Sequence, residues 1–85
     1  MSDKLRDTVA NCIDGHQLSR YNFDLSEHEY SDNDLLEDDL RLDSLDVMEV
    51  IMAVEDALYV KVPDKKIHDI RTFGDLCNLF DKCGV

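Results

Sequence analysis

The chain has 85 residues, with 20 acidic and 9 basic side chains and a formal net charge of -11. This length predicts a single domain over residues 1–85, and a hydrophobic content of 44% is ordinary for a folded chain. The charge argues against binding to nucleic acid or to anionic membranes and favours protein partners with basic surfaces.

Cysteine usage and the N-terminal sequence indicate the cellular environment. Cys12, Cys77 and Cys83 are an odd number without a C-x-x-C pair, which predicts reduced thiols and neither disulfides nor a zinc site. There is no signal-peptide pattern and no apolar run long enough to cross a membrane. We therefore expect a cytoplasmic monomer without stable membrane insertion, or an organellar protein whose presequence has been removed.

The first predicted helix covers about residues 3–16. Apolar residues recur at intervals of three and four, which is typical of an amphipathic helix: Leu5, Val9, Cys12 and Ile13. Gly15 is the expected stop, with Leu18 as the later alternative.

A long connection, residues 17–38, follows this helix. Its aromatic and aliphatic residues are expected to pack the loop onto the helices: Tyr21, Phe23 and Leu25. Three leucines near its end should also be buried: Leu35, Leu36 and Leu40. A loop of this length in a compact domain is usually functional.

The second predicted helix covers about residues 44–58. Asp43 or Ser44 can serve as N-cap, and Asp46 lies three residues after Asp43, as in a capping box. One face carries the apolar residues expected in the core: Val47, Val50, Ile51, Val54 and Leu58. A neighbouring stripe of Leu45, Met48 and Met52 lies among carboxylates. Residues 32–56 contain ten acidic residues and one basic residue, so we expect a docking face here.

Two further helices complete the predicted fold. After Pro63, residues 64–70 read as a short helix with Ile67 and Ile70 turned inward. The last helix covers about residues 73–83, begins with a capping-box pair at Thr72 and Asp75, and ends before Gly84. Its inward stripe is Phe73, Leu76, Leu79 and Phe80. The pattern predicts an all-α, small four-helix bundle with three longer helices, a short third helix and a long loop between the first two.

Residues around the second helix resemble the acyl carrier protein family. The matching residues are Asp43-Ser44-Leu45, Asp46, Met48-Glu49, Met52 and Glu55-Asp56, with Val-Pro-Asp at 62–64 and Thr-Phe-Gly-Asp at 72–75. The resemblance covers about residues 35–82 and adds a looser match over the first helix.

The resemblance implies a carrier and no enzyme activity. A phosphopantetheinyl transferase would attach a 4'-phosphopantetheine arm to Ser44, and the thiol of the arm would hold an acyl group as a thioester. The chain itself would have no catalytic residue and no resident metal. The cargo would serve fatty-acid, polyketide or related lipid biosynthesis, and an aminoacyl or peptidyl cargo is the alternative.

The resemblance also assigns surface roles along the second helix. Apolar contacts to acyl-loading and acyl-transferring synthase enzymes would come from Leu45, Met48 and Met52. Pairing with their Lys and Arg residues would come from Asp43, Asp46, Glu49, Glu55 and Asp56. The path of the acyl chain would lie near Ile51, Val54 and Ile67, which ordinary core packing explains equally well.

Departures from the family pattern favour a specialised carrier. The family usually has Gly two residues before the Asp of its Asp-Ser-Leu, where this chain has Arg41. Lys65 and Lys66 replace residues that are often acidic in the family.

Other functions fit the residues less well. A serine hydrolase needs an activating base, and the chain has no G-x-S-x-G motif and no histidine close to Ser44 in sequence. A calcium loop starting at Asp32 would have Leu36 at a ligand position and Glu37 where Gly is required. An acidic interaction module, with Ser44 only capping the helix, remains the open alternative.

Overall fold

The computed structural model describes residues 3–82, apart from the side chains of Asp64 and His68. Its elements are α1 (Asp3–Tyr21), α2 (Ser44–Leu58), a 3-10 helix (Asp64–Asp69) and α3 (Phe73–Asp81). Within this range there is no strand, and the only extended pairing is an isolated bridge between Leu35 and Thr72. The all-α bundle with a short third segment and a long first loop is confirmed. None of the helices in residues 3–82 has both the length and the apolar character that crossing a bilayer requires.

Helix α1 is longer than predicted. It continues through Gly15 to Tyr21 and ends where Asn22 has a φ of 55°. A single glycine inside a helix costs only about 1 kcal/mol, and asparagine tolerates the left-handed conformation that often terminates a helix. The extension buries Gln17 completely, and its Nε2 donates hydrogen bonds to the carbonyls of Leu40 (2.8 Å) and Arg41 (3.1 Å). These bonds hold the chain immediately before α2.

Helix α2 has the predicted bounds because a capping box defines its start. The Asp43 carboxylate accepts a hydrogen bond from the Asp46 amide (2.8 Å), and the Asp46 carboxylate accepts one from the Asp43 amide (3.2 Å). Helix α3 begins with the predicted box between Thr72 and Asp75. The predicted end of this helix at residue 83 and the stop at Gly84 lie outside the described residues.

The core combines the three helices with the loop. The apolar residues predicted on the helices are buried for the most part: Leu5, Val9, Ile13, Val50, Ile51, Val54, Phe73, Leu76, Leu79 and Phe80. Cys12, Val47, Leu58, Ile67 and Ile70 are only partly buried. Leu25, Leu36 and Leu40 are buried as expected, whereas Leu35 and Tyr21 are 40% and 50% exposed. Leu42 and Val62 join the core without having been predicted.

The long loop is attached to the start of α3. The amides of Phe73 and Gly74 donate to the carbonyls of Asp34 (2.8 Å) and Asp32 (3.1 Å). A Cβ on Gly74 would lie 2.9 Å from the Asp32 carbonyl oxygen, so this close approach requires glycine. The loop therefore has a defined position beside α2 and α3.

Tyr59 is expected to be a site of local strain. It has a φ of 56° at the C-terminus of α2, and its side chain is 94% exposed. The left-handed conformation is unfavourable for a residue with a Cβ, so Tyr59→Gly should raise the free energy of unfolding by about 1 kcal/mol. Tyr59→Ala removes the same ring and keeps the strain, so it should give no such gain. Urea unfolding followed by circular dichroism measures both, and equal effects would contradict the strain.

Candidate functional site

Ser44 is the first residue of α2, and its side chain is exposed. The structure assigns the N-cap to Asp43, whose side chain bonds the first turn. The Ser44 hydroxyl forms no hydrogen bond with a described residue, so helix capping does not account for this serine. A hydroxyl in this position is accessible to a modifying enzyme.

Ser44 lies at the edge of a cavity of about 580 Å³, called here the Ser44 cleft. The cleft lies between the first half of α2, the end of the long loop and the 3-10 helix. Its apolar lining includes Leu35, Leu36, Val47, Met48, Ile67 and Ile70. An apolar chain attached near Ser44 would find a surface of matching chemistry here.

The three residues predicted for an acyl path are separated in the structure. Ile67 lines the cleft, whereas Ile51 and Val54 are 1% and 0% exposed and are absent from its lining. Val47 lines it instead, one helical turn nearer to Ser44 than Ile51. The sequence contained this signal, because a residue at i+3 from the serine remains close to it.

The apolar stripe on α2 is exposed as predicted. Leu45, Met48 and Met52 are 58%, 39% and 60% exposed. Asp43 and Asp56 are exposed beside it. Glu55 is half-buried, and its Oε2 accepts a hydrogen bond from the Val62 amide at 2.7 Å. The carboxylate of Glu55 therefore fixes the turn after α2.

The prediction of Asp46 as a surface contact is corrected by its burial. Asp46 is 2% exposed, and its Oδ1 lies 2.9 Å from His16 Nε2 and accepts a hydrogen bond from the Tyr21 hydroxyl at 2.8 Å. Burial would raise the pKa of Asp46, but hydrogen bonds from His16, Tyr21 and the Asp43 amide outweigh it and hold the pKa below its usual value. The extension of α1 supplies both partners, so this carboxylate joins α1 to α2.

Glu49 also faces α1. Its Oε1 lies 3.4 Å from Arg20 Nη1, and its Oε2 lies 3.4 Å from His16 Nδ1. His16, Asp46 and Glu49 are close enough together to share a metal ion. However, both ring nitrogens of His16 already face carboxylates and a guanidinium is adjacent, so the arrangement favours an ion-pair cluster. None of the described histidine side chains hydrogen-bonds to Ser44.

Arg41 has the backbone conformation for which glycine is best suited. Its φ is 60°, and its guanidinium lies over the Phe23 ring at 4.7 Å from the ring centroid. It lines a second cavity of about 460 Å³ on the α1 side of Asp43, together with Tyr21 and Phe23. Arg41 therefore occupies, at a conformational cost like that of Tyr59, a position that suits glycine, and α2 begins three residues later at Ser44.

An exposed helix-initial serine above an apolar cleft, in an acidic helical bundle, is the arrangement expected of a prosthetic-group carrier. The family model described as phosphopantetheine attachment site matches residues 22–80. An acyl carrier protein from Clostridium perfringens (strain 13) is 36% identical over 76 residues, which cover 89% of this chain and 87% of that protein. One from Syntrophobacter fumaroxidans is 47% identical over 45 residues, covering 53% and 56%.

The fold agrees with a solved structure of the same kind. The crystal structure of an acyl carrier protein from Thermotoga maritima superposes with a TM-score of 0.75 at 22% identity, covering 98% of this chain and 94% of that one. The chain belongs to the acyl carrier protein family. The prosthetic group of this family is 4'-phosphopantetheine.

Proposed function

We propose that Ser44 carries 4'-phosphopantetheine and that the chain presents acyl groups to the enzymes of fatty-acid or related lipid biosynthesis. The observation that carries this proposal is the exposed Ser44 hydroxyl, which the helix cap does not use, at the edge of the apolar cleft. The residues present fit the group, because the hydroxyl provides an attachment atom and the cleft provides an apolar surface.

The chain provides the atom to which the prosthetic group is attached and an apolar surface for the acyl chain. In the loading step, Ser44 Oγ would form a bond to the coenzyme A phosphorus that carries pantetheine while its hydroxyl proton passes to a base of the transferase. The pyrophosphate bond would break and release 3',5'-ADP. Free amides in the first turn of α2 favour an anion at this position. When bound, the group supplies a thiol that holds the acyl group as a thioester. Val47, Ile67 and Ile70 then offer the acyl chain a surface away from water.

The partners proposed are the transferase and synthase enzymes with basic docking surfaces. Leu45, Met48 and Met52 supply exposed apolar area, and methionine repacks easily against different partners. Asp43 and Asp56 are the exposed carboxylates beside this stripe. Glu49 and Glu55 would join them only by giving up the contacts they make within the chain.

The cations near the site support the proposal of a specialised carrier. Arg41, Lys65 and Lys66 are exposed, and each places positive charge where basic partner surfaces would be repelled. We expect a dedicated synthase to use this carrier better than standard fatty-acid enzymes do. Equal turnover of this chain and a housekeeping carrier by those enzymes would contradict it.

The cytoplasmic location, the single domain over residues 1–85 and the monomeric state stay predictions.

Incubation with coenzyme A, Mg²⁺ and a phosphopantetheinyl transferase tests the attachment. The intact mass should rise by one phosphopantetheine, and Ser44→Ala should abolish the gain because no other oxygen occupies this position. Ser19→Ala, at an exposed serine on α1, is the matched control and should load normally. A mass gain that persists in Ser44→Ala, or no gain with any of several transferases, would overturn the proposal and favour an unmodified interaction module.

A further inference from the structure

The Ser44 cleft has charged groups within its apolar lining. Its described lining includes three carboxylates, those of Glu37, Asp38 and Asp43, and Arg71 is its one cation. The methylenes of an arginine can extend a surface for apolar chains, but its guanidinium does not. The Arg71 guanidinium gives the cleft that Ser44 also lines a group able to bind something anionic or rich in acceptor atoms.

The backbone of Arg71 is held on both sides. Its amide donates to the Asp75 carboxylate at 3.1 Å, and its carbonyl accepts a hydrogen bond from the Leu36 amide at 2.9 Å. The first bond belongs to the start of α3 and the second to the long loop. These two bonds therefore fix the backbone of Arg71 at the wall of the cleft.

The N–H donors of the Arg71 guanidinium are available to a ligand. The side chain is exposed and forms no ion pair with any carboxylate in the described part of the chain. This is notable on a protein with a net charge of -11. Arg6 and Arg20, by contrast, each pair with carboxylates.

A phosphodiester on Ser44 would create a local electrostatic problem. It would add a negative charge beside Asp43 and close to a wall that also carries Glu37 and Asp38. The start of α2 offsets only part of this repulsion, because the effect of a helix terminus is confined to its first turn. A guanidinium offsets the rest, and its planar fork of N–H donors matches phosphate oxygens.

We propose that Arg71 is a positioning residue that binds the phosphodiester of the prosthetic group and holds the arm over the Ser44 cleft. This rests on the proposed attachment at Ser44. Arg41 is the natural comparison, because it is also exposed and without an ion pair to a described carboxylate. It lies in the other cavity, over Phe23, and does not line the Ser44 cleft.

Nuclear magnetic resonance of the loaded protein tests the assignment directly. The Nε–Hε resonance of Arg71 should move between the unloaded and loaded protein, while that of Arg41 stays in place. The ³¹P resonance of the phosphodiester should shift in Arg71→Gln and remain unchanged in Arg41→Gln. Arg71→Lys should restore part of the wild-type shift, because an ammonium keeps the charge without the fork. In 1 M salt, where the Debye length is about 3 Å, the wild-type ³¹P resonance should approach that of Arg71→Gln.

The outcomes separate the two proposals. Loaded protein whose ³¹P resonance is the same in wild type and Arg71→Gln overturns the role of Arg71 and leaves the attachment at Ser44 intact. A shift produced by Arg41→Gln alone assigns the contact to the other cavity and also overturns it. Protein that gains no mass with the transferase overturns both. Backbone amide spectra of each variant verify that the fold is retained, as expected for substitutions of exposed side chains.

Discussion

Asp46→Ala is expected to lower the free energy of unfolding by about 2–4 kcal/mol, the cost of losing hydrogen bonds to a buried carboxylate together with half of a helix cap. The substitution removes the acceptor of the Tyr21 hydroxyl and the partner of His16, and it deletes half of the capping box of α2. A domain of this size has a stability of roughly 5–10 kcal/mol, so a large part of it depends on this carboxylate. Urea unfolding monitored by circular dichroism measures the loss.

Asp56→Ala is the matched control for this prediction. Asp56 is an exposed carboxylate on the same helix, and its removal should change the stability by no more than about 0.5 kcal/mol. Similar losses in the two variants would show that the contacts between Asp46 and α1 contribute nothing beyond general charge.

The contribution of Asp46 should also depend on pH in a defined direction. Its pKa is lowered in the folded chain, because hydrogen bonds from His16, Tyr21 and the Asp43 amide outweigh the effect of burial. Such a group stabilises the fold above its unfolded pKa of about 4, and this stabilisation is lost as pH falls through the folded pKa. The stability difference between wild type and Asp46→Asn should therefore be largest near neutral pH and shrink below about pH 4. A constant difference would contradict the prediction.

Ile51→Ala is expected to cost about 2–5 kcal/mol, because the side chain is 1% exposed and truncation leaves a cavity in the core. Met52→Ala, at the adjacent position, should cost about 0.5 kcal/mol or less, since Met52 is 60% exposed. Binding to a transferase should show the reverse order. Met52→Ala should bind more weakly than Ile51→Ala, because Met52 belongs to the proposed docking stripe.

Thermal and urea unfolding compare the stabilities, and loading rates at low transferase concentration compare the docking. Ile51→Ala should be assayed at a temperature where it remains folded. Equal stability losses would contradict the buried position of Ile51, and unchanged loading of Met52→Ala would remove Met52 from the docking surface.

Local signals predicted the start of each element well. The pairs Asp43 with Asp46 and Thr72 with Asp75 defined the first turns of α2 and α3, because capping depends on side chains only three residues apart. The predicted end of α1 was wrong, because a single glycine does not terminate a helix when tertiary contacts stabilise the residues that follow it. Gln17 and Tyr21 gain such contacts with the segment before α2 and with Asp46.

Part of the candidate site could be predicted from local sequence signals, and part of it could not. Ser44 and the exposed stripe of Leu45, Met48 and Met52 followed from spacing along one helix. The Ser44 cleft did not, because its walls come from α2, the long loop and the 3-10 helix, whose mutual positions no local pattern encodes. Arg71 was missed for this reason, since its place on the wall of the cleft depends on the bonds of its backbone to Leu36 and Asp75.

The sequence by itself determined the helices, their inward faces and the serine at the start of α2, because helical periodicity and capping are short-range properties. Only the tertiary structure decided which carboxylates are exposed. Asp46 lies inside, held by α1, whereas Asp56 remains in solvent. The physical reason is that two acidic residues on one helix differ only in what packs against them, and that depends on long-range contacts.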